Sequence, residues 1–188
     1  MTPLYLASQI LVLVGLVFDL TGRAMKKKTF VLLCMMIAVA FYIASYICLK
    51  QLLPAVINGI HLIRNIVYMR LNGKDKPFHS YFLPMSCAVL SSVPLIAVFW
   101  SDATDLFMLA SVIILSLGLA LKNMLTVRLC LIANNTLWCI YNFGFKGYAN
   151  MACDAVNVLV SVIAILIYNV ISPFGKRKKK NSFKTAEE

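Results

Sequence analysis

At 188 residues, with 61% hydrophobic and only 13% charged, the chain falls well below the ~25% charged content of soluble domains. Its formal net charge of +11 sits in loops and a tail that lack the interleaved aromatics on which single strands stack, so composition excludes both a soluble domain and a nucleic-acid module. Taken in order, the chain opens with Pro3–Leu20, an apolar run whose basic group, Arg23 and Lys26–Lys28, follows it instead of preceding it. That order marks a retained span with its N-terminus outside, not a cleaved signal peptide.

Thr29–Leu49 and Leu52–Arg70 read as the second and third spans. The polar loop 71–80 carries turn and breaker steps at Asn72-Gly73 and Lys76-Pro77. Tyr81–Trp100 is the fourth span, with Pro84 and Pro94 tolerable where neighbouring helices re-satisfy the backbone. Past the acidic loop Ser101–Asp105 come Leu106–Ala120, short for a ~30 Å hydrocarbon core, then Leu125–Phe143 and Tyr148–Ile171. The tail 172–188 is charged and reads as disordered and cytoplasmic. The six cysteines lie inside apolar runs with no C-x-x-C pair, as packing thiols do, and neither a metal site nor a cofactor is expected.

Charge provides an independent check on the helix count. With the N-terminus outside, the inner loops and tail hold fifteen Lys and Arg, and the outer loops only Lys50 and Lys146. Such a bias fixes orientation, and an even number of helices would spoil it. Six basic residues in the tail could also contact anionic lipid.

The expected fold is therefore an all-α membrane protein with seven transmembrane helices over 1–171. Two parallel three-helix repeats, 3–70 and 106–171, are joined by a linker helix, 81–100, which reverses the chain. Ser8–Leu16 aligns without gaps on Ser111–Leu119, bringing Gly15 onto Gly118, where small residues allow close packing or bending. Lys50 matches Lys146, one in each short outer loop before the third helix of its half. Parallel repeats of this kind place a site near the midplane, between the halves.

The third span is where polar residues concentrate. Ionisable groups within a hydrophobic span are functional-site hypotheses by default. Asn58, His61 and Arg64 (or Asn65) recur every three to four residues, on one stripe of a helix. The lysine register pairs Asn58 with Asp154 and His61 with Asn157, and helix 6 adds a stripe of Asn134, Trp138 and Asn142. These eight residues are the candidate substrate site, and interhelical packing is the alternative reading of the asparagines. Asp154 requires a cationic partner, a proton or a polar cavity.

At these residues the chain resembles a known family. IHLIRNIVYMR in helix 3 and LTVRLCLIANNTLWCIYNFGFKGYANMACDAVN across helices 6 and 7 are similar to the YgjV-type bacterial inner-membrane proteins. The resemblance implies matching positions at Arg64, Arg128, Trp138 and Asn142, and an acidic residue at Asp154. At His61 it departs, since asparagine is the more usual residue of the family there. The three-plus-one-plus-three plan also resembles, more distantly, SWEET-type sugar transporters and PnuC vitamin-precursor transporters. The Pro-Gln hinge of the sugar group is missing from helices 1 and 5, so neither its specificity nor its hinge is implied.

Two function classes follow. One is a small-molecule transporter or facilitator of the inner membrane, working by alternating access around the polar stripe. Arg64 would then anchor an anionic or carbonyl group, Asp154 and the asparagines would bind hydroxyls or amines, and Trp138 would form an apolar wall. The other class is a non-transporting receptor, scaffold or interaction protein. Neither HExxH nor GxSxG occurs, so no enzyme is expected. A homo-oligomer is compatible with either class.

Overall fold

Inside a bilayer each backbone N–H and C=O must be satisfied within its own segment, so apolar runs of this length form helices. The computed structural model describes residues 3–74, 77–100, 102–121, 123–144 and 147–171. Among them are seven α-helices: α1 Pro3–Ala24, α2 Lys28–Cys48, α3 Leu52–Gly73, α4 Phe82–Val98, α5 Asp105–Ala120, α6 Met124–Gly144 and α7 Tyr148–Ile165. A 3-10 turn, Phe78–Tyr81, leads into α4, and a π turn, Leu166–Ile171, ends α7. Six of the helical segments are long and apolar enough to cross a membrane; α5, at 16 residues, is shorter. The tail 172–188, with its expected lipid contact, lies outside the described residues, as do Lys76, Lys122 and Lys146.

The helices pack on their chain neighbours. α1 rests on α2, α2 on α3, α5 on α6 and α6 on α7. Two further contacts, α1 with α7 and α3 with α5, close these six into a ring, and α4 packs against α3 and α5. The polarity of this ring is the reverse of a soluble domain. Leu13, Val17, Leu83, Val98 and Leu159 are each more than half exposed, whereas Asn58, His61, Arg64, Asn65, Asn134 and Asn157 are buried. Apolar side chains facing lipid and polar ones facing the bundle are what a hydrocarbon solvent selects.

Two apolar clusters occupy opposite ends of the bundle. One gathers the start of α2 and α6 with the end of α3 and α5, including Leu32, Tyr68, Leu119 and Leu131. The other gathers the end of α2 and α6 with the start of α3 and α5, including Tyr46, Ile57, Val112 and Trp138. The polar residues fall between them. Lys50 joins α2 to α3 in the left-handed region at φ 58°. This conformation turns the Gln51 N–H back onto the Tyr46 carbonyl at 2.9 Å, closing the helix end.

Sequence and structure differ in where α1 stops. The helix runs on past Leu20 to Ala24, so Arg23 is not a loop residue but lies in its last turn, only 3% exposed. Arg128 likewise sits within α6, 3% exposed, and donates to the Met25 carbonyl at 3.3 Å.

Candidate functional site

A cavity of about 60 Å³ opens between the two clusters, room for a handful of waters at ~10–15 Å³ each. Each ring helix supplies part of its wall. On α3, Asn58, His61 and Asn65 lie three and four residues apart and face it together. Tyr42 and Tyr46 enter from α2, Asn134, Asn135 and Trp138 from α6, Asn150, Cys153 and Asp154 from α7, Asp19 and Arg23 from α1, and Leu115 from α5.

Trp138 organises the aromatic side. The His61 ring meets it edge-on at 6.3 Å between centroids, Tyr46 is tilted against it at 6.3 Å, and Tyr141 packs edge-to-face at 5.6 Å. Beside this wall runs a short polar chain. Tyr46 Oη donates to Asn142 Oδ1 at 3.3 Å, and Asn142 Nδ2 donates to Asp154 Oδ2 at 2.8 Å.

A second network seals α1 against α7. Arg23 Nη2 meets Asp19 Oδ2 at 3.1 Å, and Arg23 Nη1 donates to Ser161 Oγ at 2.8 Å. Asn157 Nδ2 donates to the same Asp19 oxygen at 2.9 Å, while Ser161 Oγ donates to the Asn157 carbonyl at 2.8 Å. Burying an acid beside a base four residues on exchanges two expensive charges for one hydrogen-bonded pair.

The remaining lining is under-satisfied. Tyr42 Oη, His61 Nε2, Asn65 Nδ2, Asn134 Oδ1 and Asn135 Nδ2 are buried with no hydrogen-bond partner among the described residues. Burying a polar group without a partner is unfavourable by ~1–3 kcal/mol. Five such atoms around one cavity therefore mark a place built to hold something polar.

Of the eight residues expected from sequence, Asn58, His61, Asn134, Trp138 and Asp154 line the cavity. Asn142 stands behind Asp154, and Asn157 stands behind Asp19. Asn58 Nδ2 bonds its own helix at Pro54 O, 2.8 Å away. Arg64 is elsewhere. Its Nε and Nη2 donate to Asn65 Oδ1 at 3.3 and 3.0 Å, and its Nη1 donates to Ser116 Oγ on α5 at 3.0 Å. Gly15 faces Tyr42 and Ala38, and Gly118 faces Cys130, each so closely that a Cβ would overlap its neighbour.

Sequence reasoning passed over Asp19, Arg23, Tyr42, Tyr46 and Asn150. For the first two a signal was available, because an acid followed by a base at i+4 is a helical pair. Ending the first span at Leu20 hid it.

The protein-family model Imp-YgjV, described as a bacterial inner membrane protein, matches residues 6–170. No curated protein and no solved structure matches the chain.

Proposed function

The chain belongs to the Imp-YgjV family of bacterial inner membrane proteins, and on that premise we propose that it carries a small polar solute across the membrane by alternating access around the mid-height cavity. The observation that carries this reading is the set of polar atoms around one cavity that have no partner among the described residues, between two apolar clusters. Interhelical packing alone would pair those atoms with one another.

We further read the ring as two parallel repeats, one formed by α1–α3 and the other by α5–α7, with α4 as the linker. A displacement of 96 residues relates Ala24 to Ala120 at the ends of α1 and α5, Lys28–Cys48 to Met124–Gly144, and Leu52 to Tyr148 at the starts of α3 and α7. The same displacement relates two helix-closing bonds, Gln51 N to Tyr46 O at 2.9 Å and Gly147 N to Asn142 O at 2.8 Å. It relates two close contacts, Gly22 on Cys34 and Gly118 on Cys130. In the cavity wall it pairs Tyr42 with Trp138 and Asn58 with Asp154.

This register sets Gly118 against Gly22 in place of Gly15, and it needs no longer loop in the first half. The α1–α7 and α3–α5 contacts become the equivalent seams between halves. Each is crossed by one arginine, from Arg23 to Ser161 and from Arg64 to Ser116. Rocking one half against the other would open the seams at one face and then at the other.

Asn58→Cys in a cysteine-free background provides the test, using a membrane-impermeant maleimide. Labelling from the outside in spheroplasts and from the inside in inverted vesicles is expected. Reaction from one side only removes alternating access, and reaction from neither makes the cavity interior packing.

A further inference from the structure

The cavity wall holds one carboxyl more than it holds counter-charges, and from it we propose that the solute is a small cation bearing an ammonium group, with Asp154 as its counter-charge. This rests on the carrier reading above and names its substrate class. Three side chains able to carry charge line the cavity: Asp19, Arg23 and Asp154. Asp19 and Arg23 neutralise one another at 3.1 Å. Asp154 makes no ion pair among the described residues, and the donor on its Oδ2 is the neutral amide of Asn142. That leaves Asp154 as the carboxyl of the wall with no counter-charge among the described residues. A carboxylate in such surroundings stays ionised only where a cation joins it.

The rest of the wall suits an ammonium head. Tyr42, Tyr46 and Trp138 present aromatic rings, whose negative faces attract organic cations. Asn134 Oδ1, on a residue 6% exposed, is an acceptor without a donor among the described residues, ready for an N–H. A bare metal ion fits less well, because no group of three His, Cys, Asp or Glu converges among the described residues. Asn65 Nδ2, on a residue 0% exposed, is a donor without an acceptor among the described residues, and His61 Nε2, on a residue 3% exposed and a donor or an acceptor according to tautomer, likewise has no partner among them. They would meet a hydroxyl or carbonyl elsewhere on the same solute. Arg64, the cation that would favour an anionic solute, spends its donors on Asn65 and Ser116 instead.

The test needs no knowledge of the natural solute. In purified Asn58→Cys protein, reaction rates are measured with a trimethylammonium-ethyl and with a sulfonatoethyl methanethiosulfonate, each relative to a free thiol in solution. Their ratio cancels the reactivity of the thiol itself. A cationic reagent that joins the Asp154 carboxylate keeps it ionised and should be favoured on the order of tenfold or more, and Asp154→Asn should bring the ratio close to unity. Millimolar methylammonium should slow labelling while methanol, uncharged and of similar size, does not. That arm decides the matter if Asp154→Asn fails to fold. A ratio near unity, a ratio unmoved by Asp154→Asn, or equal protection by methanol overturns the cation. Labelling from both faces with no charge preference overturns the cation alone and leaves the carrier intact. A residue inert to both reagents overturns both.

Discussion

Arg64 is the residue at which sequence and structure part most sharply. Its place within a hydrophobic span is legible in the sequence, but its direction is not. One residue is ~100° of helix rotation, and that step decides whether Arg64 or Asn65 faces the cavity. Asn65 does, and Arg64, 2% exposed, turns to α5. Three of its nitrogens donate to Asn65 and Ser116, while Tyr68 Oη donates to the Ser116 carbonyl at 3.2 Å. Lysine has the charge but not the planar fork, and cannot reach both acceptors at once. Arg64→Lys should therefore lower stability by about 1–3 kcal/mol, read as a drop in thermal unfolding temperature, and leave the charge preference at Asn58→Cys unaltered. Normal stability with an altered preference would return Arg64 to the binding site. Tyr42 and Tyr46 were illegible for a different reason: on an apolar helix a tyrosine signals neither burial nor a cavity until its neighbours are known.

Among elements, the sequence marked every helix but misjudged where some of them stop. Apolar periodicity fades at a charged residue even when the helix continues, and for this reason α1 appeared to end before Arg23. Alignment of apolar residues also favoured Gly15 as the counterpart of Gly118, whereas the helix ends favour Gly22. Contact geometry makes the choice testable. A Cβ on Gly22 would lie 2.8 Å from Cys34 Cβ, and one on Gly118 would overlap Cys130, while one on Gly59 would meet nothing within 4 Å. Overpacking of this kind destabilises by ~1–3 kcal/mol. Gly118→Ala and Gly22→Ala should each destabilise, and Cys130→Gly and Cys34→Gly should each relieve the matching partner, with coupling of ~0.5–3 kcal/mol in double-mutant cycles. Gly59→Ala, the control, should be neutral or better. Additive cycles at both pairs would remove the equivalence of the two contacts.

Whole-molecule topology turns on α5, the shortest of the seven helices. Sixteen residues rise ~24 Å, less than the ~30 Å of hydrocarbon, so hydropathy and length alone do not carry it across. Burial does. Asp105 at its first turn is 0% exposed, as are Val112 and Leu119, and α3, α4 and α6 pack around it. A helix that leaves only Leu106, Ile113 and Leu117 of its large apolar side chains exposed depends less on lipid thickness than one surrounded by lipid. If α5 crosses, α1 and α7 run parallel, and the fifteen basic residues of the inner loops, the helix ends beside them and the tail share one side. If it does not, Lys122, Arg128 and the six basic residues of the tail move to the outer face, and the positive-inside bias vanishes. Reporter fusions after Lys74, Ala103, Asn123 and Gly147 distinguish the two. Cytoplasmic signals at Lys74 and Asn123 and external ones at Ala103 and Gly147 are expected. Ala103 and Asn123 reporting from the same face would mean that α5 does not cross, and the two halves would then face opposite ways, with no parallel repeat to rock about the cavity.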